Sequence, residues 1–167
     1  MSRRNLIRTA AAVVASLALP VPLRACRTGS PAVALDPDQE RLSQWAGALR
    51  AEGLARREVP LGRSATRVGE LAGGTPSQPF TLEAYLESGG SPASEPLILS
   101  LTRFDCVTLV EACLAIARLA GRDGAITWDG FGGEVERMRY RGGERRGYSS
   151  RLHYFSEWIS DGAKRGL

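Results

Sequence analysis

From Cys106 onward, apolar residues recur at Leu109, Val110, Cys113, Ile116 and Ala117, with Val107 and Leu114 widening the stripe. This period near 3.6 predicts one mostly buried helix within Leu101 to Ala117, with a cysteine at its start. Asp105 suits the N-cap, because its carboxylate can accept from the free amide N–H groups of the first turn. The same criterion predicts a helix over Asp36 to Leu54, with Leu42, Trp45, Ala46 and Leu49 buried and Asp36 capping before Pro37. A weaker helix over Leu61 to Leu71 ends at Gly73 and Gly74. Thr75 to Phe80 reads as loop, Thr81 to Leu86 as a short turn of helix or a strand, and Ser88 to Pro96 as a mobile Gly/Ser/Pro stretch. Leu97 to Leu101 is a short apolar run read as a strand against the cysteine helix. Further helices are expected from about Phe131 to Tyr140 and after Ser150, the last with Leu152, Phe155 and Ile159 buried and Arg151, His153, Tyr154 and Trp158 facing elsewhere. Between them, Gly142 to Gly147 reads as loop.

The first 25 residues follow a different logic. Ser2-Arg3-Arg4-Asn5-Leu6-Ile7-Arg8 matches a twin-arginine export signal, and the Ala-rich run Ala10 to Leu19 is too short for a stable membrane anchor. Leu23-Arg24-Ala25 before Cys26 reads as a plain cleavage site; a lipoprotein box, with Arg24 its poor element, is the alternative, and lipidation at Cys26 would be the one membrane attachment. Residues 26–35 read as a linker and 36–167 as one domain, large enough for a real core but not for two.

The export signal changes the charge picture. The chain has 22 Lys and Arg against 18 Asp and Glu, and the surplus of four lies entirely at Arg3, Arg4, Arg8 and Arg24. The mature part is near neutral, which removes the main support for nucleic-acid binding. Arg137 to Arg146, interleaved with glycines and Glu144, reads as a solvated loop.

Cysteine and histidine then narrow the chemistry. Cys106 and Cys113 lie about 10 Å apart along one helix axis, too far for a disulfide. His153 is the sole histidine, which excludes a zinc site built on two or three imidazoles; no metal or cofactor is expected. A thiol at the positive end of a helix is biased toward thiolate, the form that attacks a carbonyl carbon. The competing reading of Cys106 is a small buried hydrophobe. Residue chemistry alone would pair Cys106 with His153.

The run Phe104-Asp105-Cys106-Val107-Thr108-Leu109-Val110-Glu111, followed by Arg139-Tyr140-Arg141-Gly142-Gly143 and by Tyr148 to Ile159, resembles a bacterial family described as N-acetylmuramoyl-L-alanine amidase-like, among the NlpC-type papain-like cell-wall hydrolases. Phe80 to Glu83 and Leu97 to Leu99 are more weakly similar. The resemblance implies an α+β papain-like fold, with Cys106 as nucleophile on an amide of a peptidoglycan fragment. It places the general-base histidine on a strand after the Ser-Arg-Leu-His-Tyr-Phe run, beyond Leu167. The chain is therefore expected to be incomplete at its C-terminus, to hold mainly the helical half, and to be predominantly α. Arg151, His153 and Tyr154 become candidates for gripping a muropeptide; their competing readings are a bridged arginine, a satisfied histidine and a packed tyrosine. The expected protein is exported and periplasmic or extracytoplasmic. Its alternatives are an inactive member that binds wall fragments, or a γ-D-glutamyl peptidase. An apolar face left without its sheet predicts poor solubility or self-association.

Overall fold

One helix, α4 (Cys106–Ala120), packs against three others: α1 (Pro37–Ala51), α2 (Leu61–Leu71) and α5 (Trp128–Arg139). The structure is a computed structural model and describes residues 36–87, 89–91 and 93–167, all within the unit Ala34–Leu167. The export-signal and linker expectations, with Cys26, fall outside the described residues. Between α2 and α4 a 3-10 turn, Thr81–Glu83, runs into the one-turn α3 (Ala84–Glu87), and α6 (Phe155–Lys164) follows two further 3-10 turns at Arg141–Gly143 and Tyr148–Ser150.

The sequence builds α4 to be surrounded. Ala112, Ala115, Ala117 and Ala120 let neighbouring backbones approach, while Ile116 and Leu119 fill the space between them. Fully burying one such large aliphatic side chain contributes about 1.5–3 kcal/mol. From α1, Leu42, Trp45, Ala46 and Leu49 enter this core, the face expected from their spacing. Asp36 caps α1 by accepting from the Asp38 amide at 2.9 Å. At the far end, Arg50 donates to Ala120 O (3.1 Å) and Arg122 O (2.9 Å), partnering carbonyls that the α4 C-terminus leaves open.

Three expectations are corrected. The buried arc of α4 is rotated from the one read in the sequence: Val107 and Val110 are exposed, at 39% and 40%, whereas Glu111 and Ala112 are buried. Leu97 to Leu101 is not a strand. It packs on the core, and three of its backbone groups go to side chains: Asp38 accepts from the Leu101 amide (2.7 Å), Arg41 donates to Leu101 O (2.8 Å) and Arg139 to Ile98 O (2.8 Å). The last helix starts at Phe155 rather than after Ser150, because Arg151 bridges to Tyr140 in an antiparallel pairing and the Leu152 amide bonds Arg139 O (2.9 Å), which pulls both out of helical register. Phe155 and Ile159 are consequently exposed, at 61% and 52%, and only Leu152 of the expected trio is buried.

The described residues are mostly helical. Among them the only β pairings are isolated bridges at Ser77/Phe104, Ser91/Ser94 and Tyr140/Arg151, so the α+β expectation is met in its helical part alone.

Candidate functional site

Cys106 occupies the first position of α4 and its side chain is exposed. The local sequence fixes that start from both sides. Asp105 Oδ1 accepts from the amides of Val107 (3.0 Å) and Thr108 (2.8 Å), while the Asp105 amide donates to Thr108 Oγ1 (3.0 Å), a reciprocal capping box. Asp105 Oδ2 accepts from the Thr81 amide (3.2 Å) and the Thr81 hydroxyl, which docks the 3-10 turn on the helix end. Burial pushes the Asp105 carboxyl up, but the hydrogen bonds from Thr108, Thr81 and Val107 outweigh it and hold the group below its ordinary range. Of the first amides of α4, those of Val107 and Thr108 are taken by the cap and that of Leu109 by Asp105 O; the Cys106 amide has no acceptor among the described residues. An unpartnered N–H therefore sits beside the thiol.

Cys113, two turns on, is buried among the core residues, and loss of solvent pushes its thiol up to about 11. It is inert packing.

The segment Tyr148 to Tyr154 brings His153 beside Val107 and Val110 of α4. His153 is exposed, its ring centroid 4.4 Å from that of Tyr148, and its Nε2 donates to Tyr148 O at 3.2 Å. Together with Val107, Val110, Leu152, Phe155 and Trp158, His153 lines a groove of about 100 Å³ that reaches Glu111. Tyr154 is 71% exposed and free to meet a ligand from solvent.

Arg151 takes the competing reading, a bridged arginine. Its side chain is 2% exposed, donates to Leu82 O (3.0 Å), pairs with Glu95 (3.3 Å) and Glu83 (3.4 Å), and lies over the Tyr148 ring at 4.8 Å. A guanidinium held this way bridges the buried Glu95 and the half-exposed Glu83 and is not presented to a ligand, so its place among substrate-gripping residues is withdrawn.

Sequence reasoning missed the buried acid–arginine set. Glu111 and Arg139, 2% and 4% exposed, join α4 to α5 through Arg139 Nη2 to Glu111 Oε2 at 2.7 Å and Nε to the same oxygen at 3.0 Å. Burial pushes the Glu111 carboxyl up and the Arg139 charge opposes that rise. Glu95 accepts from the Tyr140 hydroxyl at 3.0 Å. Burial and the Glu95 charge hold that phenol above its ordinary range. The available signal was a glutamate at Glu111, within the most apolar helix of the chain, and an arginine within each of the two downstream runs. Among the described residues no group of three or more His, Cys, Asp or Glu is placed to hold a metal ion.

Two crystal structures of an N-acetylmuramoyl-L-alanine amidase from Bacteroides uniformis resemble this chain. One shares 33% identity over 64% of the chain, with a TM-score of 0.54. The other shares 28% over 63%, with a TM-score of 0.52. The match spans 41% and 40% of those proteins' lengths, well under half of each. No curated protein matches. A family model described as N-acetylmuramoyl-L-alanine amidase-like matches residues 73–167, a span that includes Thr81, the capped cysteine, the buried acid–arginine set and the His153 segment; the chain belongs to this AmiA-like family.

Proposed function

We propose that this chain carries the nucleophile of an exported cysteine amidase that cleaves the amide between N-acetylmuramic acid and L-alanine in peptidoglycan fragments. The observation that carries the reading is Cys106: an exposed thiol at the first position of a doubly anchored helix, within the family-matched span. Its sulfur attacks the lactyl carbonyl carbon as the thiol proton passes to a base. The Cys106 amide, without an acceptor among the described residues, is a donor available to the oxygen that gains charge. Collapse breaks the C–N bond, the amine of L-alanine leaves with the proton, and a thioester remains. Water then adds to the thioester, releasing the muramic carboxylate and restoring the thiol.

The base is proposed to be a histidine from the sheet-forming part of a papain-like NlpC-type fold. Two facts support this: the solved amidases are about two and a half times as long as the matched span and the His153 ring is already engaged with Tyr148. His153 lines the groove and the exposed Tyr154 follows it in the chain, a hydrogen-bonding and an aromatic group suited to a polar muropeptide. Export is supported by the Ser2 to Arg8 motif.

The test is hydrolysis of defined muropeptides by the whole protein. Release of free sugar and intact peptide, lost by about 10³-fold or more in Cys106→Ala, is the expected outcome. Cleavage inside the stem peptide at the γ-D-glutamyl bond would move the assignment to a peptidase. Binding without cleavage would leave a wall-fragment binder.

A further inference from the structure

Arg151 is joined to the start of α4 through one short turn. Its Nη1 donates to Leu82 O at 3.0 Å and its Nη2 pairs with Glu83 Oε1 at 3.4 Å. Leu82 and Glu83 belong to the 3-10 turn Thr81–Glu83, closed by the Glu83 amide on Phe80 O at 3.1 Å. Thr81, the first residue of that turn, gives both its amide and its hydroxyl to Asp105 Oδ2, while the other oxygen of the same carboxylate caps α4 around Cys106. In the opposite direction Arg151 is followed by Leu152 and His153, which line the groove. One guanidinium thus fastens the His153 wall to the turn that fixes the cysteine.

Arg151 is itself held firmly. Its backbone pairs with Tyr140, its Nη1 lies 3.3 Å from Glu95 Oε1, and that oxygen also accepts from the Tyr140 hydroxyl at 3.0 Å. The Arg151 and Glu95 side chains are each 2% exposed, so neither can swing away without leaving a buried charge unpaired. Nη1 serves Leu82 O and Glu95 together while Nη2 reaches Glu83, a planar fork that a single ammonium on a flexible stem does not reproduce.

We infer that Arg151 is a positioning residue for the proposed reaction: through Leu82 and Thr81 it sets where Cys106 stands relative to the His153 wall of the groove. The kinetic consequence rests on the amidase reading, whereas the mechanical link rests on geometry alone, so the two can fail separately.

The decisive variant is Arg151→Lys, which keeps the charge that Glu95 and Glu111 sense and removes the fork. Carboxyl-carbon NMR titration of Asp105 in the whole protein reads the link without any hydrolysis. The Thr81 hydroxyl helps to hold this carboxyl below its ordinary range. A turn released by Arg151→Lys is therefore expected to let the carboxyl move up, and to do so by less in a Thr81→Val background, because both changes act on one path. Muropeptide hydrolysis is the second readout: kcat is expected to fall about 10- to 100-fold, the cost of a misplacement of about 1 Å, with KM kept within about threefold. An unchanged Asp105 titration in folded Arg151→Lys overturns the inference, as does an equal shift with and without Thr81→Val. A shifted carboxyl with undiminished kcat overturns it too. If the unmutated protein does not hydrolyse muropeptides, the amidase reading fails and the titration still decides the link. Should Arg151→Lys not fold, native-state hydrogen exchange of the unmutated chain decides: the Thr81 and Leu152 amides are expected to open in one step, and separate openings overturn the link.

Discussion

Cys106 and Cys113 lie on one helix, two turns apart, and their surroundings make them different kinds of residue. Cys106 stands in the first turn, exposed, with an unpartnered amide beside it and a cap tied to a second segment through Thr81. Cys113 faces α2, where its sulfur lies 3.7 Å from the point a Cβ on Gly69 would occupy, and its thiol keeps its proton to about pH 11. The helix is therefore divided along its length: a first turn open to solvent, and a remainder sunk in alanine and aliphatic contacts. Glu111 and Arg139 sit near the division, a buried charge pair that holds the open end against α5.

The sharpest way to break this contrast is differential alkylation. Iodoacetamide is expected to modify Cys106 in the folded protein and Cys113 only through unfolding, at least about 10³-fold more slowly; comparable rates, read by mass spectrometry, would contradict the packing described. Next in size is the pair at the division. Glu111→Ala leaves Arg139 charged and buried, and is expected to lower stability by about 3–5 kcal/mol in urea unfolding. A loss under 1 kcal/mol would mean that the pair does not hold the two helices together.

Cys113→Ala removes one buried sulfur, with an expected cost of about 1–2 kcal/mol and no effect on Cys106 alkylation, whereas Cys106→Ala should alter stability by no more than about 0.5 kcal/mol. The alkaline limb separates them further. An unfolded cysteine loses its proton near pH 8.5, about two and a half units before the folded Cys113. Between those values the unfolded chain binds fewer protons, so stability falls as pH rises, and Cys113→Ala should flatten that fall. The smallest effect is at the cap. The folded Asp105 carboxyl ionises below its ordinary range, so its contribution is present above about pH 4 and lost as pH falls. Asp105→Asn should shorten that acid limb, as read from urea midpoints across pH.

What was legible in the sequence was local. The caps at Asp36 and Asp105 and the buried face of α1 follow from residues within a turn or two of each other, and the structure has them as read. What escaped was decided by partners far along the chain. Nothing near Leu97 to Leu101 announces that Asp38, Arg41 and Arg139 will satisfy its backbone in place of a neighbouring strand. The periodicity after Ser150 suits a helix, yet pairing with Tyr140 and the pull of Glu95 on Arg151 keep Arg151 and Leu152 extended. The same pull removed Arg151 from the candidate site, where its neighbour His153 remains beside Val107. Cys106 was readable because its exposure depends on a helix start, which local chemistry sets.

The tethering of Leu97 to Leu101 by charged side chains has a colloidal consequence. The Ile98 and Leu101 carbonyls and the Leu101 amide are already engaged from within the molecule. A passing chain that sought to pair along the whole stretch would have to displace side chains that hold it to α1 and α5, which raises the cost of seeding precipitate there.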